Sequence, residues 1–351
     1  MKFSHGHITK VSTALLKSLG ASDEEAAVVA RNLLMADMRG IHTHGINFIP
    51  KIADRVENGL LNIPTKLEII SDSGAVAHFD GNNGLGQVAA EKAMRRAVEH
   101  SKEHGIGMSL VRNTNHIGLL AFYSIIAARE GAVGFAMCNS APSMAPWGGS
   151  EAFFGTNPFS IAFPVGDQNP VVLDMSTSLV ARGKIRRALK LEQKIPEGWA
   201  LDSEGKPTDD PEKAMEGTLI PVGGPKGSGM ALFIDVICGM LSGSKYGRDI
   251  LTFHKPLGPT GVGAMLMAID IQHFMKEETF HDLARAYVGE IRESRKADGV
   301  SRIYLPGEIE AEMEERSLKN GVEIDDVTVG EINALLEKQG VSLRLDGDEL
   351  E

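Results

Sequence analysis

Several short stretches carry residue types that could do chemistry. "VRNTNHIG" (111–118) runs an apolar strand pattern, ending at Arg112, into Asn113, Asn115, His116 and Gly118, so one imidazole sits among amides at a strand end. In α/β sheets, ligands gather at the carboxyl ends of strands. A neutral imidazole can take a proton from a hydroxyl, and an imidazolium can give one to a carbonyl. A histidine that only caps a turn would look the same, and both readings stay open locally. "RGIHTHGINFIPK" (39–51) holds His42 and His44 two positions apart, just past a helical pattern. A metal site needs three or four ligands in suitable geometry. No cysteine or carboxylate cluster accompanies this pair, so no metal is expected.

Three further segments could hold a ligand. "GGPKGSG" (223–229) puts Lys226 in a glycine turn before an apolar helix, where backbone N–H groups and an ammonium could receive an anion. A plain glycine turn fits equally well. "VVLDMSTS" (171–178) ends a buried strand pattern at Asp174, which could cap the next helix or accept hydrogen bonds from a ribose, capping being the commoner use. "DGNNGLGQVAA" (80–90) imitates a dinucleotide fingerprint through Gly84, Gly86 and Ala89. The next strand, however, ends with Arg112 and no carboxylate, which favours a tight strand-to-helix turn. "PWGGSEAFFGTNP" (146–158) is an aromatic, glycine-rich loop of a kind that walls pockets or merely packs.

The elements that must position these residues are legible. Ile8, Val11, Leu15 and Leu19 share one helix face, with Gly20 as the stop. "SDEE" offers Ser22 and Glu25 as a capping box for a helix ending near Met38, with Gly40 beyond. From about residue 75 strands and helices alternate: "AVAHFD", "GQVAAEKAMRRAVEHSKEHG", "GIGMSLV", "GAVGFAMCN" and "NPVVLDM". Consecutive apolar residues in the strands suit a sheet covered on both faces. The expected organisation is a helical region, 1–74 joined by 290–351, around an α/β cofactor-binding domain, 75–289. Residues 184–224 read as a polar surface excursion. Thr328 and Glu331 read as a second capping box, and "DGDELE" as an acidic tail.

Composition narrows the function classes. With 351 residues, 42% apolar and 24% charged, the chain can bury a real core. A net charge of −11 argues against a nucleic-acid partner. Cys138 and Cys238 sit in apolar runs and read as buried reduced thiols. The start lacks a secretory h-region. The most apolar stretch, "GMALFIDVICGMLSG", has 15 residues and contains Asp235. A bilayer span needs roughly 20 apolar residues, so it reads as a core helix. No membrane partner is expected, and the location is read as cytoplasmic.

Taken in order, "ADMRGIHTHG", "NTNHIG", "PWGGSEAFFGTNPFSIAFP", "DMSTS", "GPKGSGM" and "YLPGE" resemble the malate/L-lactate dehydrogenase family, which is distinct from the ordinary lactate and malate dehydrogenases. Ureidoglycolate, sulfolactate and diketogulonate oxidoreductases belong to it. The resemblance implies an α/β fold of non-Rossmann type. It also implies NAD or NADP as cofactor (NAD the first choice), interconversion of a 2-hydroxy and a 2-oxo acid, and a homodimer with a shared active site. By this resemblance His116 is the acid/base, and His44 is the histidine of an "SHG" motif in which Thr43 replaces serine. Ser140, Asp174, Met175, Ser176 and Lys226 match cofactor-contacting positions, and Thr156 a substrate-side one. Pro259, Thr260 and Gly261 fall where the family closes over the cofactor.

One departure concerns the substrate. Many relatives carry an arginine four residues after the motif histidine, clamping the substrate carboxylate. Here that residue is Phe48. A phenyl ring cannot replace a bidentate, charge-assisted contact. Lys51, Arg112 or another group must then hold the carboxylate, or the substrate is unusual. Two alternatives follow: a cyclic imine reductase on the same scaffold, and a non-catalytic relative that keeps the pocket.

Overall fold

The computed structural model describes residues 1–348. Strand β1 (Lys2–Phe3) leads into helix α1 (His5–Ser18), which buries Ile8, Val11 and Leu15. Gly20, at φ +101°, reverses the chain. Helix α2 (Asp23–Met38) opens with the reciprocal capping box: Glu25 N–H donates to Ser22 Oγ and Ser22 N–H donates to Glu25 Oε2. Gly40, at φ +74°, closes it, and two 3₁₀ turns (His42–His44 and Ile46–Phe48) lead to α3 (Ile49–Glu57). These helices share one apolar core with Val322, Ile324, Ile332, Leu336 and Leu345 from the far end of the chain. Chain ends that meet in one core hold the helical layer shut over the sheet.

The sheet begins at β2 (Glu68–Ser73), upstream of the expected boundary at 74/75. It continues through β3 (Val76–Asp80), α4 (Gly86–His104), β4 (Ile106–Thr114), α5 (Ala121–Arg129), β5 (Ala132–Cys138), β6 (Phe159–Val165) and β7 (Gln168–Met175). Past an inserted unit of α6 (Arg182–Lys190), β8 (Ala200–Leu201), β9 (Pro207–Thr208), α7 (Pro211–Glu216) and β10 (Thr218–Leu219) come α8 (Pro225–Asp235) and β11 (Val262–Asp270). The chain finishes with α9 (Glu277–Glu293), α10 (Glu308–Asn320), β12 (Val322–Glu323) and α11 (Asp326–Lys338).

The seven strands lie in the order β2-β3-β4-β11-β5-β6-β7, and only β3 and β4 pair in parallel. A dinucleotide-binding Rossmann sheet is parallel and doubly wound, so this α/β fold is of another type. On one face α4 and α5 pack alanines against Val111, Ala136, Ala264 and Leu266. On the other, Leu110 and Met265 meet Ile234 of α8 and Cys238 just beyond it. Both cysteines are buried free thiols.

Three expectations are corrected. Residues 184–224 are not a coreless excursion, because Ile185, Ile195, Ala200, Ala214 and Leu219 join Met144, Phe154 and Val180 in a small core of their own, beside a three-stranded sheet. The cap of α11 is Asp325, not Thr328: its carboxylate accepts the Thr328 N–H at 3.0 Å and the Thr328 hydroxyl at 2.7 Å. The apolar stretch 229–243 is only half core, since Leu232, Phe233, Met240 and Leu241 are exposed. No described helix is long and apolar enough to cross a membrane. Of the acidic tail, residues 349–351 lie outside the described residues.

Candidate active site

Strand direction gathers the candidate residues. β3, β4, β5 and β7 run one way while β6 and β11 run the other. The carboxyl ends of the first four and the amino ends of the last two therefore share one sheet edge. Along it follow Arg112 to His116, Thr260 and Gly261, Ser140, Thr156, and Asp174 to Ser176.

The two histidines of the 3₁₀ turn diverge. Buried Asp37 accepts His42 Nδ1 at 3.1 Å and the Ile46 N–H at 2.8 Å, and this contact raises the His42 pKa. Gly45 is obligatory there, because a Cβ would fall 1.9 Å from the Asp37 carboxylate. His44 turns inward instead, its Nδ1 sharing a hydrogen bond with Thr43 Oγ1 at 3.0 Å. Burial pushes its pKa down to about 4, and the Lys51 charge adds to the shift. Among the described residues no three potential metal ligands cluster.

His116 lies at the centre of a ring stack. Its centroid is 4.2 Å from that of Phe48, with planes 15° apart, and 5.4 Å from that of His44. Phe253 stands 5.9 Å from His116, and His254 5.8 Å from Phe48. Burial holds the His116 pKa well below the usual imidazole range, with His44, His254 and Lys51 pressing the same way. The Gly118 N–H donates to His116 Nδ1 at 3.1 Å, so the neutral ring carries its proton on Nε2. Nε2 is then a donor ready for a carbonyl oxygen. Protonating Nδ1 would set two donors face to face, which further disfavours the imidazolium.

Phe48 stands in for no charge, but Lys51 is one helical turn further on. Its Nζ rests 4.2 Å from the Phe48 ring centroid. Arg112 is committed elsewhere, donating from Nε to Asp80 Oδ2 at 2.8 Å beside Asn113. The structure thus does not bring Arg112 to the histidines. Sequence reading missed two residues, His254, which acts on both His44 and His116, and Arg186 beside Lys51. His254 comes from the segment before Pro256, and the Arg186 charge on α6 depresses both Lys51 and His254. Their signal was faint, since one sat in a polar loop and the other in the supposed excursion.

The remaining candidates serve the edge in distinct ways. Asp174 Oδ2 accepts the Ala121 N–H at 2.7 Å, so it caps α5 rather than the next helix, and burial raises its pKa to about 6. Met175 pairs with Phe159 across β6 and β7. Ser176 and Ser178 share a 3.0 Å hydroxyl contact. The Ser140 N–H donates to Asn157 Oδ1, and the Thr156 carbonyl accepts from Thr177. Thr260 Oγ1, fully buried, donates toward the Thr114 carbonyl and Asn115 Oδ1. Lys245 Nζ reaches the Pro259 carbonyl at 3.2 Å and packs its stem where a Cβ on Gly261 would stand. The closing segment is thereby pinned to the end of β4.

The glycine motifs resolve into packing. A Cβ on Gly86 would meet the Asn115 and His116 carbonyls at 2.5 Å, so the fingerprint-like run lets α4 abut the loop that carries His116. Before α8, the N–H groups of Gly224 and Gly227 are taken by the Pro221 and Val222 carbonyls. That turn offers an anion its Lys226 ammonium, which is exposed, rather than a backbone nest. A nicotinamide dinucleotide nonetheless fits the donor set. The second Asp174 oxygen and the Ser140, Thr156 and Ser176 hydroxyls could meet ribose or amide groups, and Thr114 Oγ1 is a buried hydroxyl without a partner. Lys226 supplies charge for a pyrophosphate.

Comparison with known proteins agrees with this architecture. Residues 3–333 match the family model described as malate/L-lactate dehydrogenase. The chain is 37% identical over 334 residues to L-sulfolactate dehydrogenase of Methanocaldococcus jannaschii, covering 95% of this chain and 96% of that one. The solved structure of sulfolactate dehydrogenase from that organism superposes with a TM-score of 0.93 at 36% identity over 99% of both chains. Malate dehydrogenase of Pyrococcus abyssi is 37% identical over 335 residues, covering 93% and 92%. Ureidoglycolate dehydrogenase (NAD(+)) of Escherichia coli K12 is 32% identical over 329 residues, covering 93% of each. The chain is a dehydrogenase and belongs to the malate/L-lactate dehydrogenase family.

Proposed function

We propose that the protein interconverts a small 2-hydroxy acid, of the malate, lactate, sulfolactate or ureidoglycolate type, with its 2-oxo acid, using NAD or NADP and His116 as acid/base. The observation that carries this reading is His116 itself, with Nε2 unengaged by any described residue and His44, Phe48 and the Lys51 charge around it. The cofactor supplies or receives the hydride at the carbinol carbon. His116 Nε2–H polarises the 2-oxo carbonyl, and an arriving acid group favours the imidazolium that can deliver a proton outright. In oxidation the bare Nε2 accepts the hydroxyl proton, which requires the ring to move its own proton to Nδ1 and give up the Gly118 bond. His44 faces His116 as a neutral polar wall.

The test is nicotinamide absorbance with a panel of 2-hydroxy acids, 2-oxo acids and cyclic imines, run separately with each cofactor. Turnover of an acid pair supports the reading. Turnover of imines alone assigns the reductase alternative, and cofactor binding without any turnover assigns the non-catalytic one.

The proposal includes a homodimer with a shared active site. Its support is the apolar row Leu232, Phe233, Met240 and Leu241, exposed on the single chain. Sedimentation equilibrium, with a Phe233→Asp variant, checks it. A cytoplasmic location completes the proposal, in keeping with two cysteines that are both free.

A further inference from the structure

Lys51 is an unanswered charge of the pocket and, unlike the exposed Arg186 beside it, is half-buried. Among the described residues its ammonium has no carboxylate within ion-pair distance and no hydrogen-bond acceptor. Its polar surroundings are His44, His254 and Arg186, none of which is an anion, and among the described residues the counter-charge that acts on it is Glu331, beyond ion-pair distance. A half-buried ammonium held over a phenyl ring gains some cation–π attraction. That does not replace a carboxylate partner, so the site suits a ligand anion.

Position says which anion. Lys51 Nζ and the His116 ring each lie 4.2 Å from the centre of the same Phe48 ring. Phe48 is thus the common neighbour of the acid/base ring and of the free ammonium, and the Lys51 charge reaches both His44 and His116. The cofactor's candidate ammonium, Lys226, belongs to α8, whereas Lys51 belongs to α3. Arg112, the other cation considered, is paired with Asp80.

We propose that Lys51 is the residue that binds the acid group of the substrate, with the Phe48 ring as its platform and His254 as a neighbouring donor. This rests on the proposed 2-hydroxy acid chemistry and names the specificity-determining residue for it. An ammonium is a point charge with rotatable donors, whereas a guanidinium is a planar fork. The pocket therefore selects for charge more than for the planar shape of a carboxylate, and a tetrahedral sulfonate or phosphonate in that position is accepted comparably.

The experiment compares wild type, Lys51→Met and Lys51→Arg. Calorimetric titration with oxalate, in the presence of reduced cofactor, reads anion binding without turnover. Lys51→Met is expected to weaken oxalate roughly tenfold to a hundredfold, the loss of one charge-assisted contact. It should leave cofactor affinity unchanged, and Lys51→Arg should recover most of the loss. Steady-state KM for the best 2-oxo acid of the panel should rise by a similar factor, while KM for its neutral amide stays put. Equal oxalate affinity in wild type and Lys51→Met, or equal loss for acid and amide, overturns the assignment. A Lys51-dependent oxalate site without turnover of any acid leaves the assignment standing and overturns the dehydrogenase chemistry proposed above. Turnover with a KM indifferent to Lys51 does the reverse.

Discussion

The rings of Phe48 and His116 stack with centroids 4.2 Å apart and planes within 15°. Phe48 belongs to the helical core and is 3% exposed, whereas His116 stands at the end of β4. One contact thus joins the helical layer to the sheet edge and fixes the plane of the imidazole. Phe48→Ala should cost about 3 kcal/mol of stability by denaturant titration, as large-to-small aromatic changes do. The same variant should lower kcat more than it raises KM, because the ring it frees is the acid/base. A change in KM alone would show that Phe48 only shapes the pocket.

His116→Asn should reduce turnover by roughly 10²-fold or more, the usual worth of general acid–base catalysis. Cofactor affinity, followed by quenching of protein fluorescence, should be nearly unchanged. Full retained turnover would remove His116 from the chemistry.

The pH profile carries a sign. The free enzyme holds His116 neutral across the physiological range, since its pKa is well below the ordinary value. If the imidazolium delivers the proton, kcat/KM for reduction should fall as pH rises from 6 to 8, by about tenfold per unit. Oxidation, which needs the neutral ring, should show no break near pH 6.5. A reduction rate flat over that window would mean that the neutral ring acts only as a hydrogen-bond donor.

Asp174 makes a stability prediction of definite direction. Its folded pKa is raised to about 6 by burial, above the ordinary aspartate value of 3.8. The native state therefore binds the proton more tightly, and the stabilising effect is full below about 3.8 and lost as pH rises through about 6. Asp174→Asn still offers an oxygen to the Ala121 N–H without the buried charge. Relative to wild type it should gain stability as pH rises from about 4 to about 6, read as a difference in urea midpoint that grows over that window and levels off above it. A constant difference would mean that Asp174 is not titrating there.

Local patterns were legible wherever the governing contacts are local. Ser22 with Glu25, the stop at Gly20 and the end of α4 at Gly105 depend on residues within a turn of one another. Thr328 misled because the helix starts earlier, where the Asp325 carboxylate accepts the N–H and hydroxyl of Thr328 itself. The inserted unit was missed because its core borrows Met144, Phe154 and Val180 from outside the segment. In the site, His116 announced itself by ending a strand among amides. His254 and Arg186 could not, because their place beside Lys51 is made by tertiary packing. The commitment of Arg112 to Asp80 was equally invisible, since it depends on β3 and β4 lying side by side.

Arg55 gives the pocket its electrical character. It is fully buried on α3, its guanidinium bonded to the Leu60, Lys255 and Gly258 carbonyls and set 4.8 Å from the Phe253 ring centre. Carbonyls take its terminal N–H groups, its buried Nε–H has no partner among the described residues, and no carbonyl neutralises the charge. With Lys51 one turn away, the inside of the site keeps a positive potential within a chain of net charge −11. An anion approaching from solution is repelled by the outer field and attracted only at close range. Added salt shortens the reach of that repulsion, so modest ionic strength should speed encounter before it weakens the final grip.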